Sequence, residues 1–104
     1  MLVDVSKMAQ EAGIKLPTVL TAAVWENYVK VPEGVDGQDE PGRLWDVLRM
    51  YRFAAKCHGK SSQLSFEVLV RNDDLAPRLV TLKAICGPGD TPEPVLTIML
   101  PEED

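Results

Sequence analysis

The hydrophobic periodicity of this chain changes once, near residue 60, and that change decides the fold class. Before it, apolar residues in the segment 43–57 recur at the i, i+3, i+4, i+7 spacing of an amphipathic helix. After it, the segment 64–71 alternates apolar and polar side chains, as a strand with one buried face does. Helical patterns followed by strand patterns predict an α+β domain.

Weaker patterns fill in the rest of the chain. The predicted helices cover residues 6–12, 21–29 and 43–57, and the predicted strands cover 64–71, 79–86 and 95–100. Gly13 is suited to end the first helix and Thr21 to cap the second. Short turn-rich segments join the strands, so we expect N-terminal helices packed on a three-stranded antiparallel C-terminal meander. A length of 104 residues fits a single domain over 1–104.

Two features refine the packing. The strand 95–100 is apolar on both faces, which favours a central or covered position. Trp45 and Phe53 fall off the apolar stripe of their helix. We expect them to pack against the sheet and another helix, with an exposed partner patch as the alternative.

The stretch "CGPGD" at 86–90 has the composition of either a phosphate cradle or a turn. A phosphate loop needs a helix after it, so that backbone N–H groups and the helix dipole face the anion. The segment 87–94 holds three prolines and leads into a strand pattern, which favours a hairpin connection.

No residue pattern predicts a catalytic, metal or cofactor site. Cys57 and His58 are adjacent, but nothing in the sequence supplies the third group that orients a nucleophile and its base. Two cysteines and one histidine do not make a zinc site, and the acids of the loop 32–42 lack the spacing of a calcium loop. We therefore expect a protein that is not an enzyme.

Charge is distributed unevenly along the chain. The net charge is -5, yet the segment 43–71 holds six bases and two acids. An acidic protein repels nucleic acid and anionic membrane but attracts a basic partner. The predicted partner-binding carboxylates lie in the acidic loop and the C-terminal tail: Glu33, Asp36, Asp39, Glu40, Glu102 and Glu103.

Two alternatives remain open. A basic stripe on the third helix is expected to pair with the flanking acids, and its alternatives are contact with nucleic acid or with a protein partner; its members are Arg49, Arg52, Lys56 and Lys60. The other alternative is a homo-oligomeric structural module, such as a homodimer, in which the strand 64–71 is an exposed sheet edge.

The N-terminus lacks the charged-then-apolar pattern of a signal peptide, and no apolar run approaches the roughly 18 residues of a membrane span. Two cysteines without a disulfide framework suit a reducing compartment. The sequence therefore predicts a soluble, cytoplasmic protein without membrane contact.

Four stretches carry a resemblance to a known family: "LVDVSKMAQEAG", "LTAAVWENYV", "VPEGVDGQDEPGRLWDVL" and "FEVLVRND…TLKAICGPGD…PVLTIMLPEED". Together they resemble a family of unknown function carried on bacterial plasmids and phages. Members often have an extra segment before the "LVDVS" stretch, which we expect either to be dispensable for the core fold or to have a role that this chain has lost. The resemblance implies a mobile genetic element in a bacterial host.

The resemblance and the charge together favour one function. We expect a small acidic protein that binds a host protein, with inhibition of a CRISPR-type or restriction defence effector as its most concrete form. The basic channel of such an effector would complement an acidic surface.

Overall fold

The computed structural model of the protein describes residues 1–58, 62–73, 76–88 and 93–103. The described residues form five strands and three helical segments. In chain order they are β1 (Leu2–Asp4), α1 (Ser6–Glu11), β2 (Thr18–Thr21), α2 (Ala22–Val24) with a π-helical turn (Trp25–Val29), α3 (Glu40–His58), β3 (Gln63–Val70), β4 (Arg78–Pro88) and β5 (Pro94–Met99). The predicted α+β class is confirmed.

The strands form one five-stranded mixed sheet in the order β1-β2-β5-β4-β3. Strands β3, β4 and β5 are antiparallel neighbours, whereas β2 lies parallel to β5. The prediction of a three-stranded meander is therefore wrong in extent, because two N-terminal strands extend the sheet. Strands of three and four residues are too short to display the alternation that marked the longer ones.

Strand β5 is central in the sheet, which is one of the two positions that its apolar character predicted. It pairs with β2 through Thr18↔Leu96 and Leu20↔Ile98, and with β4 on its other side. Leu96 and Ile98 are fully buried. On the second face of the strand Val95 and Thr97 are half-buried and Met99 is buried.

The core lies between α3 and one face of the sheet. The predicted stripe of α3 is buried at Leu44, Val47 and Leu48. The ring of Tyr51 meets the ring of Phe66 on β3 edge to face, with centroids 5.8 Å apart and planes at 75°. Aromatic pairs favour this geometry, which fixes the helix on the sheet.

The helix boundaries differ from the predictions for local reasons. Helix α3 begins at Glu40 rather than at residue 43. Its second residue is Pro41, and proline fits the first turn of a helix because its missing N–H is not needed there. Thr21 caps α2 as predicted, accepting from Val24 N at 3.3 Å. The predicted helix 21–29 then widens into the π-helical turn, closed by Lys30 N donating to Trp25 O at 2.8 Å.

The segment after Cys86 connects two antiparallel strands. The pairing of β4 with β5 extends to Gly87↔Val95 and Pro88↔Pro94. A strand rather than a helix follows, so the hairpin prediction is confirmed; residues 89–92 themselves lie outside the described residues. Among the described residues, no helix is both long enough and apolar enough to cross a membrane.

Candidate interaction surface

A buried arginine holds the loop before α3 to the rest of the fold. Arg43 is 6% exposed and lies in the first turn of α3. Its Nε donates to Val29 O at 3.1 Å, and its Nη1 donates to Gln38 Oε1 at 2.7 Å and to Arg71 O at 2.6 Å. Its Nη2 donates to Asn72 Oδ1 at 2.6 Å. One guanidinium therefore joins the π-helical turn, the loop, α3 and the end of β3.

All four acceptors of Arg43 are neutral oxygens. Burial lowers the pKa of Arg43, yet an arginine side chain remains charged in proteins. Amide and carbonyl dipoles, rather than a carboxylate, therefore stabilise this buried charge. The Arg43 charge consequently does not neutralise the carboxylates of the preceding acidic loop.

The acidic loop, Glu33 to Glu40, presents its carboxylates to solvent. Glu33, Asp36, Asp39 and Glu40 are all exposed. In the described part of the chain the ion pairs are Lys30–Glu26 at 3.6 Å and Arg78–Asp73 at 3.9 Å, and neither uses these four residues. The predicted site residues of the loop thus lie together on one exposed segment and form no ion pair within the described ranges.

Two of the four loop acids also stabilise α3. Asp39 Oδ1 accepts from Gly42 N at 2.6 Å, which satisfies one backbone donor of the first turn. Glu40 is the acidic residue of that turn, where the positive end of the helix dipole favours a carboxylate. Glu33 and Asp36 form no hydrogen bond of this kind among the described contacts.

The two C-terminal acids have different environments. Glu102 is exposed. Glu103 is half-buried: its Oε1 accepts from Thr21 Oγ1 at 2.8 Å and from Leu100 N at 2.9 Å, and its carbonyl accepts from Lys83 Nζ. Glu103 ties the tail to β2 and β4, so of this pair Glu102 offers the freer carboxylate.

The predicted basic stripe is only partly on the surface. Arg49 and Lys56 are exposed on α3. Arg52 instead donates from Nη1 to Ala12 O at 3.2 Å, at the C-terminal end of α1. Lys60 lies outside the described residues. Two of the four side chains are therefore placed where a nucleic acid would meet them.

A cleft of about 420 Å³ lies beside the acidic loop. It runs between residues 37–39, the first two turns of α3 and the end of β3. Tyr28 and Trp45 supply aromatic surface, and Asp39 and Asp46 supply carboxylates. Trp45 is half-buried here, which partly fits its predicted packing role.

An apolar groove of about 540 Å³ follows the outer side of β3. It is called the edge groove here and contains four exposed apolar side chains: Met50 and Phe53 of α3, Leu69 of β3 and Leu79 of β4. Phe53 is 63% exposed, so the expectation that it packs against another element is wrong. The alternative, an exposed partner patch, agrees with its position.

The two cysteines are free thiols in different environments. Cys57 is exposed on the last turn of α3, and Cys86 is half-buried against the core. The His58 side chain lies outside the described part of the chain. Within the described ranges, no three His, Cys, Asp or Glu side chains are grouped so that they could hold a metal ion.

Sequence reasoning missed Arg43 although a signal was present. A cation in the first turn of a helix opposes the helix dipole. Such a residue needs another reason for its position, and here that reason is the set of four oxygen acceptors. The identity of those acceptors comes from tertiary contacts and was not readable from local pattern.

The fold and the exposed residues define a small α+β protein with a five-stranded mixed sheet, an acidic loop and an apolar groove at one sheet edge. The whole chain, residues 1–104, matches the profile of the family of unknown function DUF6573, and it belongs to that family. No curated protein and no solved structure shows significant similarity to it. The predicted membership in a family of unknown function is confirmed, whereas plasmid or phage origin stays a prediction.

Proposed function

We propose that this chain is a non-enzymatic protein that binds a basic protein partner through its acidic loop. One observation carries the proposal: the carboxylates of Glu33, Asp36 and Glu40 are exposed and form no ion pair among the described residues, while the buried Arg43 is held by neutral acceptors. An uncancelled negative loop on a protein of net charge -5 attracts a positive surface and speeds encounter with it.

The partner class follows from the chemistry of basic grooves. Proteins that handle nucleic acids line their channels with lysine and arginine, and an acidic loop complements such a channel. The resemblance to plasmid- and phage-borne proteins supports a host defence effector of the CRISPR or restriction type as the partner. Occupying its channel would inhibit the effector by excluding nucleic acid. Glu102 is a secondary contact.

The experiment compares two triple charge reversals. Glu33→Lys/Asp36→Lys/Glu40→Lys changes the loop. Asp39 is kept because its hydrogen bond from Gly42 N caps α3, whereas Glu40 acts on α3 only through the helix dipole. Glu11→Lys/Glu26→Lys/Glu93→Lys makes the same change in net charge at exposed positions elsewhere. Binding to a purified CRISPR effector without guide RNA is measured by biolayer interferometry at low and physiological salt. We expect the loop variant to lose tenfold or more in affinity, mostly in association rate.

The control variant is expected to stay within about threefold of the wild-type affinity at physiological salt, because exposed charges outside the contact are largely screened beyond a Debye length of about 8 Å. Equal losses in both variants would mean that total charge, not the loop, determines binding. Unchanged affinity of the loop variant would remove the loop from the proposal.

The nucleic-acid alternative has less support. Of its four side chains, Arg49 and Lys56 are exposed, while Arg52 is bonded to Ala12. A mobility-shift assay across salt concentrations addresses it directly. A specific shift that weakens steeply with salt, and that Arg49→Ala/Lys56→Ala abolishes, would favour nucleic-acid binding over the proposal.

A further inference from the structure

Strand β3 forms an edge of the sheet, and none of the described strands pairs with its outer side. Its register with β4 continues to Ser62, whose carbonyl accepts from Cys86 N at 2.8 Å. Hydrogen bonds of an antiparallel pair use every second residue. The even-numbered residues of β3 therefore bond to β4, and the backbone N–H and C=O groups of Ser65, Glu67 and Leu69 point away from the sheet.

This edge lacks the usual protection against pairing. Natural edge strands are kept apart by short length, proline, lysine or bulges. Strand β3 has eight residues, contains neither proline nor lysine, and pairs with β4 in one unbroken register. Its single charged residue is Glu67. The other edge strand, β1, has only three residues.

Apolar surface accompanies the open backbone. Phe53 is 63% exposed, Leu69 61%, Leu79 58% and Met50 40%, and all four line the edge groove. At roughly 100 Å² of exposed surface each, they offer about 400 Å², half of what each partner of a stable interface buries. Strand pairing and the flanking polar side chains would supply the remainder.

We propose that β3 pairs antiparallel with β3 of a second copy of this chain, forming a two-fold dimer with a continuous ten-stranded sheet. The two-fold axis passes at Val68. Glu67 then lies opposite Leu69 of the second copy, and Phe66 lies opposite Val70. The edge grooves of the two copies meet along the seam and bury their apolar side chains.

Apolar contact, charge and hydrogen bonding together favour this register. An axis at Phe66 would also lie within β3, but it would place Leu69 opposite Gln63 and separate the two exposed Leu69 side chains, which are diagonal neighbours in the Val68 register. An axis at Glu67 would place two carboxylates directly opposite each other, which is destabilising. An axis at Leu69 would pair residues beyond the end of β3 and would need the Arg71 carbonyl, which already accepts from Arg43 Nη1. The Val68 register keeps residues 66–70 of both copies within regular strand.

A second copy also suits the shape of the sheet. A two-fold pairing uses the same edge on both copies and closes the assembly. The three-residue β1 offers little edge for further addition, so we expect a dimer rather than a filament. The interface does not use the acidic loop, so this inference stands or falls independently of the proposed function.

The first test measures oligomeric state by light scattering after size exclusion, from low micromolar to millimolar protein. We expect a wild-type mass of twice the 11.5 kDa chain. Leu69→Glu places a carboxylate opposite Glu67 of the second copy and is expected to give a monomer. Leu2→Glu is the matched control, 58% exposed on β1 at the other edge, and it should remain a dimer.

Circular dichroism checks that both variants are folded, as we expect from the exposed positions of the two residues. A monomeric wild type over the whole concentration range would overturn the proposal. So would a Leu69→Glu protein that is folded and dimeric.

The second test reads the register by disulfide formation in a Cys57→Ser background. Chains carrying Glu67→Cys and chains carrying Leu69→Cys are mixed and oxidised. Opposite residues lie about 5.5 Å apart between Cα atoms, within disulfide range, whereas each cysteine is beyond about 7 Å from its own copy in the Val68 register. We expect cross-linked product from the mixture and none from either variant alone. Cross-linking of either variant with itself would overturn the register, and so would a mixture that forms no cross-linked product.

Discussion

At the residue scale, Arg43 is the most constrained charged group of the described chain. A lysine there keeps the charge but cannot make four divergent hydrogen bonds from one planar group. We expect Arg43→Lys to lower the free energy of unfolding by about 2–4 kcal/mol, since buried acceptors lose partners. Urea denaturation monitored by fluorescence measures it.

The control for this prediction is Arg49→Lys, an exposed position on the same helix, which should change the unfolding free energy by less than about 0.5 kcal/mol. A similar, small effect at both positions would show that the four bonds of Arg43 contribute little net stability.

Gly13 provides a second prediction at this scale. Its φ is +91°, and a Cβ placed there would lie 1.7 Å from Arg52 Nη1. Gly34 has a φ of +83° and nothing within 4 Å of such a Cβ. The left-handed backbone costs a non-glycine residue about 1–2 kcal/mol. We expect Gly34→Ala to lower the free energy of unfolding, measured by chemical denaturation, by about 1–2 kcal/mol. Gly13→Ala should lower it by about 1 kcal/mol more, because Arg52 must move.

A double-mutant cycle isolates the steric part. In an Arg52→Ala background the cost of Gly13→Ala should fall to that of Gly34→Ala, since the colliding side chain is gone. An unchanged cost in that background would assign the whole effect to the backbone conformation.

At the scale of elements, the sequence predicted what long periodic segments determine. The stripe of α3 and the three C-terminal strands were found because each repeats its pattern over several residues. Strands β1 and β2 were missed because they are short and are defined by their pairing partners. The π-helical turn was missed because local spacing does not distinguish it from α-helix. Where chain neighbours determine conformation, prediction worked; where distant partners do, it did not.

The features of the candidate site were likewise only partly predictable from the sequence. Exposure of the acidic loop was predictable from its composition. The inward bonds of Glu103 and Arg52 were not, because Thr21 and Ala12 are distant in sequence. The edge position of β3 was an open alternative in the sequence and became visible only with the strand order.

The C-terminal tail is the element whose attachment is most easily tested. Glu103→Ala removes the acceptor for Thr21 Oγ1 and Leu100 N, and Glu102→Ala removes an exposed carboxylate. We expect the first to lower stability by about 1–2 kcal/mol and to speed amide hydrogen exchange at Leu100, and the second to do neither. Equal exchange at Leu100 in both variants would show that the carboxylate does not hold the tail.

At the scale of the whole molecule, the balance of charge predicts how salt changes stability. The net charge is -5, and the ion pairs among the described residues, Lys30–Glu26 and Arg78–Asp73, are both exposed and contribute little. Repulsion between acids therefore outweighs attraction. We expect the melting temperature to rise by about 2–5 °C between low and physiological salt, because screening shortens the range of repulsion from about 30 to about 8 Å.

The acidic loop should account for a large part of that rise. Glu33→Gln/Asp36→Asn removes two negative charges and takes the net charge from -5 to -3, while Glu40 is kept because it stabilises the first turn of α3. This variant should melt at a higher temperature than the wild type in low salt and gain less on salt addition. A wild-type melting temperature that falls as salt is added would mean that attractive pairs dominate the folded state. In that case the loop would not be the unpaired negative surface on which partner binding depends.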